Sequence, residues 1–312
     1  MKNFISQTLL FLLPVLLIGS MMEILLRRIP NDYRFKKTYL DKYADSLQVL
    51  FLGNSHIYYG INPEFINPKS FNASYVSQSY DYDLAILNKY NNKWNRLKYI
   101  VLPVDYGAFY KKLESGAGAW RIKNYNIYYD IHQNGNIAYY SELLSINIRK
   151  NLLRLYQYYY HHDATITSST LGWGTAYSSN KKQDLLITGK SAAQRHTASN
   201  DKFFNGIRET LIAMILFARK MNVRVILISC PAYKIYIQNL DQAQLNRTVN
   251  EATKLSSQYD NVSYFNLLGN EAFKEEDFYD ADHLNEMGAR KFSLMLDSLI
   301  ETYKVNANLN NH

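Results

Sequence analysis

The sequence has almost no cysteine, no repeated segment and no dense cluster of one charge. Cys230 is the single cysteine among 312 residues, so no intramolecular disulfide can form, and we expect a buried, inert thiol. Neither an internal repeat nor a nucleotide-binding signature is present. Lysine and arginine (35) outnumber aspartate and glutamate (27), but they are scattered. Because no basic stripe or reader motif is found, we expect no nucleic-acid partner.

The composition that remains is typical of a folded globular protein. Apolar residues make up 47% of the chain and charged residues 20%, which is the balance of an ordered domain rather than a disordered one. A chain of 312 residues holds one large domain, or one domain with an insertion. The net charge of +8 reflects either a lysine-rich composition or attraction to an anionic lipid or wall polymer.

One long apolar run occupies the N-terminus. Leu9 to Met22 carries no charge, and apolar character resumes after a single glutamate. The segment from Phe4 to Leu26 is just long enough to cross a bilayer, which takes ~20 residues. A cleaved signal peptide is the main alternative, because Ile18-Gly19-Ser20 offers small residues near a possible cut, and a buried core helix is the third. We favour an uncleaved anchor.

The charges that flank this run bear on which side of the membrane the following domain lies. Only Lys2 and the amino terminus precede the run, and five basic residues follow it, namely Arg27, Arg28, Arg34, Lys36 and Lys37. The positive-inside rule alone would place the following domain in the cytoplasm, but long domains translocate despite their charge. The charge pattern therefore leaves the side open.

Strand and helix patterns alternate along the rest of the chain. Predicted strands are Gln48–Leu52, Ser70–Ala73, Tyr99–Val104, Val223–Ser229 and Val262–Phe265; predicted helices are 81–90, 207–221, 242–259 and 286–303. This alternation predicts an α/β fold, a three-layer α/β/α arrangement around a parallel sheet. Active sites in such sheets gather at the carboxyl ends of the strands.

Two motifs near the opposite ends of this alternation carry the residues of a nucleophilic site. Val49–His56 is an apolar strand followed by a sharp turn that presents Ser55. Asp280–Asn285 places an aspartate three residues before His283 and just ahead of the last helix. Serine needs a base within hydrogen-bond reach and a carboxylate behind that base. An ordinary helix-capping serine and an ordinary polar loop are the alternatives for each motif taken alone.

The spacing favours one of two carboxylates as the partner of His283. Asp280 is one turn back, whereas Asp282 is adjacent, and neighbouring side chains diverge in an extended or turning segment. We therefore predict Ser55 as nucleophile, His283 as base and Asp280 as the group that orients it. Gly53 allows the tight turn and the close approach of substrate, and the Ser55 amide is available to a developing oxyanion.

Together these motifs resemble the first and last sequence blocks of the SGNH (GDSL-like) hydrolase superfamily, and in particular its membrane-anchored members that handle O-acyl groups on cell-surface polymers. The resemblance covers most of residues 47–303 and is weak in the middle. It implies a flavodoxin-like SGNH fold and a catalytic domain outside the cytoplasm, on a single-pass anchor in a bacterial cytoplasmic membrane. We side with the resemblance on this question of topology.

The middle blocks depart from the superfamily pattern, which usually supplies a glycine amide and an asparagine side chain to the oxyanion. Where the glycine is expected, Asn72–Gln78 has none, although a backbone amide at Ser77 or Gln78 could serve. Where the asparagine is expected, the chain has Asp105, whose charge would repel an oxyanion. We therefore expect Asp105 to be protonated, turned away or otherwise engaged. Asn54 stands where the GDS motif has aspartate.

Residues 107–205 interrupt the alternation and are interpreted as a tyrosine-rich insertion or lid. Aromatic rings with polar tips pack well on sugars, so Trp120, Tyr128 and Tyr129 are candidate substrate contacts, and Arg121 is a candidate for an anionic group. The alternatives are that these rings fill a small core and that Arg121 forms a structural salt bridge.

Isolated histidines give little evidence of a metal. His161-His162-Asp163 has no matching ligand cluster elsewhere in the sequence, so we expect no metal and no cofactor. His56 either lines the site or has a packing role, and His196 is a lone histidine.

The predicted organisation is an anchor (1–26), a juxtamembrane segment (27–46), a catalytic domain (47–305) with the insertion 107–205, and a tail (306–312). The predicted function is addition or removal of O-acyl groups, most simply acetyl, on a cell-surface polysaccharide or wall polymer. The resemblance implies that a multi-pass membrane acyltransferase supplies the acyl group. The alternative is a non-catalytic accessory protein that binds glycan and has a degenerate site.

Overall fold

The structure, a computed structural model, describes residues 2–309, with side chains at 4, 7, 8 and 10–302. Its strands are β1 (Val49–Phe51), β2 (Ser70–Asn72), β3 (Tyr99–Pro103), β4 (Arg224–Ser229), β5 (Val262–Asn266), β6 (Phe278–Asp280) and β7 (His283–Leu284). Its helices are α1 (Lys2–Arg28), α2 (Asp32–Tyr43), α3 (Ser55–Gly60), α4 (Tyr80–Lys89), α5 (Ile122–Asn124), α6 (Glu142–Ser145), α7 (Ile148–Tyr159), α8 (Leu185–His196), α9 (Phe204–Lys220), α10 (Lys234–Gln238), α11 (Gln242–Gln258) and α12 (Glu286–Leu309).

The chain forms two compact units. The helical unit consists of Met1–Thr38 and Ala117–Thr167, and the sheet unit consists of Tyr39–Gly116 and Ser168–His312. The predicted insertion is thus divided, since its middle part belongs to the helical unit and both of its ends belong to the sheet unit.

The sheet unit is built on five parallel strands in the order β2-β1-β3-β4-β5. Val49 pairs with Ser70 on one side and Tyr99 on the other, and Tyr99 in turn pairs with Arg224. This order is that of flavodoxin-like sheets, in which a crevice forms between β1 and β3, where the strand order reverses. The predicted α/β fold with a parallel sheet is confirmed, and all five predicted strands are present.

The three central strands, β1, β3 and β4, form because short runs of apolar residues are buried on both faces of the sheet. Val49, Phe51 and Ile226 belong to one core cluster with Phe292 and Leu296 of α12. The residues between them point to the opposite face, since side chains alternate along a strand. Burial on both faces leaves the carboxyl ends of the strands as the edge where polar side chains can gather.

The helical unit is held by aromatic and ionic contacts. Tyr33 packs edge-on against Tyr125, with ring centroids 5.0 Å apart. Fully buried Glu142 lies 2.7 Å from the Lys123 ammonium and 2.6 Å from the Arg154 guanidinium. Burial opposes ionisation of Glu142, but these two cations outweigh it and lower its pKa to about 2. Burial lowers the pKa of Lys123 to about 8 against the pull of Glu142, so both groups are ionised near neutral pH.

One described helix is long and apolar enough to span a membrane. Within α1, Leu10–Arg28 has a mean hydropathy of 2.0, and 6% of the span is buried. An apolar helix that is almost wholly exposed differs from a core helix, which buries its apolar side chains. At the other end, α12 continues to Leu309, so residues 306–309 of the predicted tail are helical, and residues 310–312 lie outside the described part.

Candidate active site

The turn after β1 has the geometry that exposes a serine. Gly53 has φ of +109°, and a Cβ there would lie 2.3 Å from Cδ of Pro103, so only glycine fits. Its N–H donates to Oδ1 of Asp83 at 2.8 Å. Ser55 is the first residue of α3, and the Asn54 side chain caps that helix by accepting an amide of its first turn. The serine therefore sits where β1 stops and a helix begins.

The second motif delivers a histidine and a carboxylate to this serine. Nε2 of His283 lies 2.9 Å from Oγ of Ser55, although the two residues are 228 positions apart in sequence. Nδ1 of His283 lies 3.0 and 3.2 Å from the two oxygens of Asp280. With Nδ1–H donating to this carboxylate, Nε2 is left to accept the serine hydroxyl proton. This is the arrangement that the sequence predicts.

The structure distinguishes the two carboxylates near His283 by their distances from its Nδ1 atom. Oδ1 of Asp280 also accepts the amides of Asp282 at 3.1 Å and of His283 at 2.8 Å, which fixes its orientation. The nearest oxygen of Asp282 lies 3.6 Å from Nδ1 of His283, beyond hydrogen-bond range. The assignment of Asp280 as the orienting group remains a prediction about chemistry, and the geometry fits it.

Asp105, which follows β3, accepts hydrogen bonds at both of its carboxylate oxygens. It accepts from Nδ1 of His56 at 2.7 Å, from Nδ2 of Asn54 at 3.1 Å and from the amide of Cys230 at 3.1 Å. Burial alone would raise the pKa of Asp105, but His56 outweighs it and lowers this pKa. Burial would lower the pKa of His56, yet the Asp105 and Asp282 carboxylates raise it to about 10. The two residues therefore form an ion pair.

Asp282 lies among three imidazoles. Its oxygens are 3.6 Å from Nε2 of His56, 3.6 Å from Nδ1 of His283 and 3.8 Å from Nδ1 of His196. Burial would raise the pKa of Asp282, but His283 and His56 outweigh burial and lower it. Burial lowers the pKa of His196 to about 3, so His196 is neutral and exchanges a hydrogen bond of 2.9 Å with the Tyr236 hydroxyl. The sequence gives no sign that His196 belongs here.

His56, Asp282 and His283 have ligand atoms within 4.8 Å of one another, close enough for a metal ion. The residues do not fit that use. Both ring nitrogens of His283 already lie within hydrogen-bond distance of Ser55 and Asp280. His56 carries a proton because its pKa is raised to about 10 by Asp105 and Asp282, and a metal ligand must be the neutral imidazole. We assign no metal to this cluster.

Two backbone amides remain available to an oxyanion. The Ser55 amide, at the first position of α3, and the Ser77 amide make no hydrogen bond within the described range 2–309. Ser77 has φ of +64°, a left-handed conformation that favours glycine, so this serine adopts the backbone geometry of a glycine at this turn. The Gln78 amide instead closes this turn by donating to the Tyr75 carbonyl at 3.2 Å. Of the two predicted amides, Ser77 is the better donor.

A stack of three tyrosine rings lies beside His283. Tyr177 stacks on Tyr59 with centroids 3.6 Å apart and on Tyr279 with centroids 4.0 Å apart. The edge of the stack meets the His283 ring, with Tyr177 at 5.2 Å and Tyr59 at 6.0 Å. All three side chains are half-buried. Sequence reasoning missed this stack, because Tyr177 lies in an irregular segment without periodicity.

The predicted substrate-contacting residues of the insertion lie in the helical unit. Tyr128 and Tyr129 are buried, and the Tyr128 hydroxyl donates to Glu142. A buried ring cannot stack on a sugar, which corrects the expectation for these two tyrosines. Trp120 is 39% exposed, and the Arg121 guanidinium lies 4.5 Å from its ring centroid. The side chain of Arg121 therefore covers the tryptophan instead of standing free for an anion.

Comparisons with known proteins give only distant similarity. No family model and no curated protein matches the chain. A solved structure from Streptococcus pneumonia, described as a "putative platelet activating factor", is 14% identical with a TM-score of 0.41, covering 94% of this chain and 98% of that one. A "putative acylhydrolase" from Bacteroides fragilis is 11% identical with a TM-score of 0.36, covering 84% of this chain and 96% of that one. Scores this low carry no argument about this chain.

Proposed function

We propose that this protein is a membrane-tethered acyl-transfer enzyme of the SGNH (GDSL-like) type that acts on O-acyl groups, in particular O-acetyl groups, of a cell-surface glycan. The observation that carries the proposal is the continuous chain from Ser55 Oγ to His283 Nε2 (2.9 Å) and from His283 Nδ1 to Asp280 (3.0 Å). This chain is what activates a serine hydroxyl towards an acyl carbonyl.

The reaction proceeds through an acyl-serine. Oγ of Ser55 attacks the acyl carbonyl while Nε2 of His283 takes the hydroxyl proton, and Asp280 stabilises the resulting imidazolium. The amides of Ser55 and Ser77 donate to the oxyanion. The tetrahedral intermediate expels the alcohol, which takes the proton from His283. A second hydroxyl then enters and gives its proton to His283 as it attacks the acyl carbonyl, and Oγ of Ser55 leaves with that proton, so the acyl group departs on the second hydroxyl and the free serine is restored.

The charge of Asp105 is no obstacle to this chemistry. His56 carries the balancing proton, and Asn54 and the Cys230 amide occupy further lone pairs of the carboxylate. The corner near the oxyanion is therefore close to neutral, in contrast to an unpaired carboxylate. This weakens one of the two sequence-based arguments for a degenerate, non-catalytic site, the other being the missing glycine.

The Tyr59–Tyr177–Tyr279 stack supports a sugar as the acceptor or donor. Its rings are half-buried beside His283, where a pyranose could pack on an aromatic edge and hydrogen-bond a tyrosine hydroxyl. Water as acceptor gives an esterase, and a sugar hydroxyl gives a transferase. We favour the transferase, because an acceptor held on an aromatic surface displaces water from the acyl-serine.

The apolar helix α1 supports a membrane tether, and the superfamily resemblance supports a catalytic domain outside the cytoplasm. The chemistry requires no cofactor. The acyl donor we propose is delivered by a separate multi-pass membrane acyltransferase, and this step rests on the resemblance alone.

The test is the acetylation of surface polymer in cells that carry the wild type or Ser55→Ala in place of the native copy. We expect acetylation to be lost in Ser55→Ala cells, with the variant protein still present in the membrane fraction. Normal acetylation in Ser55→Ala cells, together with loss in cells lacking the whole protein, would establish a binding or accessory role instead.

A further inference from the structure

Helix α7 in the helical unit turns its polar side inwards and its apolar side outwards. On the inner side, buried Asn151 donates to the carbonyls of Glu142 (3.0 Å) and Ile146 (3.3 Å), and Arg154 pairs with Glu142 (2.6 Å). The outer side carries six apolar or aromatic residues that are between 41% and 70% exposed: Ile148, Leu152, Leu153, Tyr156, Tyr159 and Tyr160. We call these six residues the outward face of α7.

This orientation is the reverse of what water as solvent favours. A helix on the surface of a soluble protein buries its apolar stripe and exposes its polar one. On the inner side the polar groups hydrogen-bond one another, and these contacts fix the rotation of the helix about its own axis. Two more residues of the same unit, Ile137 and Leu144, are also strongly exposed. An apolar surface of this kind marks a contact with another apolar phase.

The outward face belongs to the same compact unit as the apolar span, and the end of α1 contacts it directly. The Glu23 carboxylate accepts the amides of Glu142 and Leu143, both at 3.0 Å. The Tyr159 hydroxyl donates to the carbonyl of Leu25 at 3.0 Å.

These contacts place α6 and α7 near the end of the membrane span. Glu23 lies five residues before Arg28, where the span ends, which is ~7.5 Å along a helix. A charged side chain is tolerated at that depth because it lies close to the headgroups and is fully hydrogen-bonded. The amides of Glu142 and Leu143 that donate to Glu23 must therefore lie at the same depth, in the membrane interface.

We propose that the outward face of α7 lies in the interfacial layer of the bilayer that α1 crosses, as a second, monotopic membrane contact. The occupant is lipid. The exposed charged residues of α7 are cations, Arg149 and Lys150, which suit anionic headgroups. Tyr156, Tyr159 and Tyr160 are of the type enriched at membrane interfaces, and a basic amphipathic helix in the interface plane needs this combination. The inference rests on the tether in the proposed function and on no part of the acyl chemistry.

The test measures the depth of single labels in the full-length chain. Cys230→Ser removes the native thiol, and single cysteines at Leu17, Leu152 and Leu294 take an environment-sensitive fluorophore. Leu17 lies in the span, Leu152 in the outward face, and Leu294 is a matched exposed leucine on α12. The protein is reconstituted in vesicles of phosphatidylcholine with a minority of phosphatidylglycerol, and quenching by nitroxide-bearing lipid is compared with quenching by aqueous iodide.

We expect the Leu152 label to be quenched severalfold more by nitroxide lipid than the Leu294 label and to be correspondingly protected from iodide. If the Leu17 label is quenched by lipid and the Leu152 label behaves like Leu294, the anchor stands and the interfacial contact is overturned. If the Leu152 label is shielded from both quenchers, a protein surface covers α7, which also overturns the proposal. An aqueous Leu17 label would overturn the tether itself, independently of any result on Ser55.

Discussion

Two buried carboxylates in this molecule are neutralised in different ways. In the helical unit, Glu142 lies against Lys123 and Arg154. In the sheet unit, Asp282 lies among the imidazoles of His56, His196 and His283. Both carboxylates are almost wholly inaccessible to solvent.

The difference lies in what the partners can do. Lysine and arginine hold their protons near neutral pH, so the Glu142 cluster is a fixed ionic contact. Of the imidazoles around Asp282, His56 is charged and His196 is neutral, while His283 also contacts a serine hydroxyl. The Glu142 cluster therefore has a structural role, whereas the Asp282 cluster includes one imidazole, His283, in contact with a serine hydroxyl. Variants of each cluster should affect different observables.

The largest effect is expected from Asp280, the carboxylate predicted to orient His283. Asp280→Asn removes the charge that stabilises imidazolium, and the corresponding change in a well-studied serine protease costs ~10⁴ in turnover. We expect acyl-enzyme formation to fall by about that factor with the fold retained, and Asp282→Asn to have a much smaller effect. Stopped-flow measurement with an activated ester, alongside circular dichroism, would test both variants. The opposite ranking would reassign the orienting carboxylate.

Breaking the Glu142 cluster should lower stability and leave acyl-enzyme formation unchanged. Glu142→Gln leaves two cations without their anion, and breaking a buried ion pair costs ~3–5 kcal/mol. We expect faster hydrogen exchange across residues 117–167 and unchanged acyl-enzyme formation at a temperature where the chain stays folded. Asp163→Asn, at an exposed position of the same unit, is the control. A loss of chemistry without a loss of protection would remove the distinction between the two clusters.

The His56–Asp105 pair should depend on pH in a defined direction. The Asp105 and Asp282 carboxylates raise the folded pKa of His56 from the ordinary 6.5 to about 10. The stabilisation is therefore complete below about pH 6.5 and is lost as pH rises through about 10. The difference in unfolding free energy between wild type and His56→Gln should shrink by on the order of 2 kcal/mol from about pH 7 to about pH 9. Urea unfolding in detergent measures it. A difference that stays constant would mean that His56 is neutral.

The smallest effect concerns the aromatic stack. Tyr177→Leu should reduce acyl transfer to an oligosaccharide by a few-fold, since one aromatic contact is worth ~0.5–1.5 kcal/mol. Hydrolysis of a small acetyl ester should persist, because the catalytic residues are intact. Trp120→Leu, in the helical unit, is the comparison and should leave transfer unchanged. Loss of transfer in Trp120→Leu alone would instead assign the acceptor contact to residues 117–167 of the helical unit.

The sequence predicts the parts of the fold that depend on local pattern. Tyr99–Val104 is predicted as a strand and Tyr99–Pro103 is observed, because a short uninterrupted apolar run within a β/α alternation is typical of a strand buried on both faces of a parallel sheet. The meeting of Ser55 with His283 is also predictable, since carboxyl ends of parallel strands share one edge. The relation of Asp280 to His283 follows from spacing within one short hairpin.

Other parts of the site depend on tertiary contacts that leave no local pattern. His196 reaches Asp282 from the end of α8, and Tyr177 reaches His283 from an irregular segment. Tyr128 and Tyr129 are predicted from the sequence as substrate contacts but are buried. A tyrosine-rich stretch looks the same in sequence whether its rings are exposed or buried. The outward face of α7 is visible in the sequence as an amphipathic pattern, but which side faces the protein is decided by Glu142, a residue outside that helix.

The central claim is that Ser55 forms the acyl-enzyme. The most direct measurement is intact-mass analysis of the full-length protein after brief exposure to an activated acetyl ester, followed by peptide mapping. We expect a mass increase of one acetyl group on the peptide that contains Ser55, and no increase in Ser55→Ala. An acetyl group that persists in Ser55→Ala, or that maps to a lysine or tyrosine elsewhere, would contradict the account.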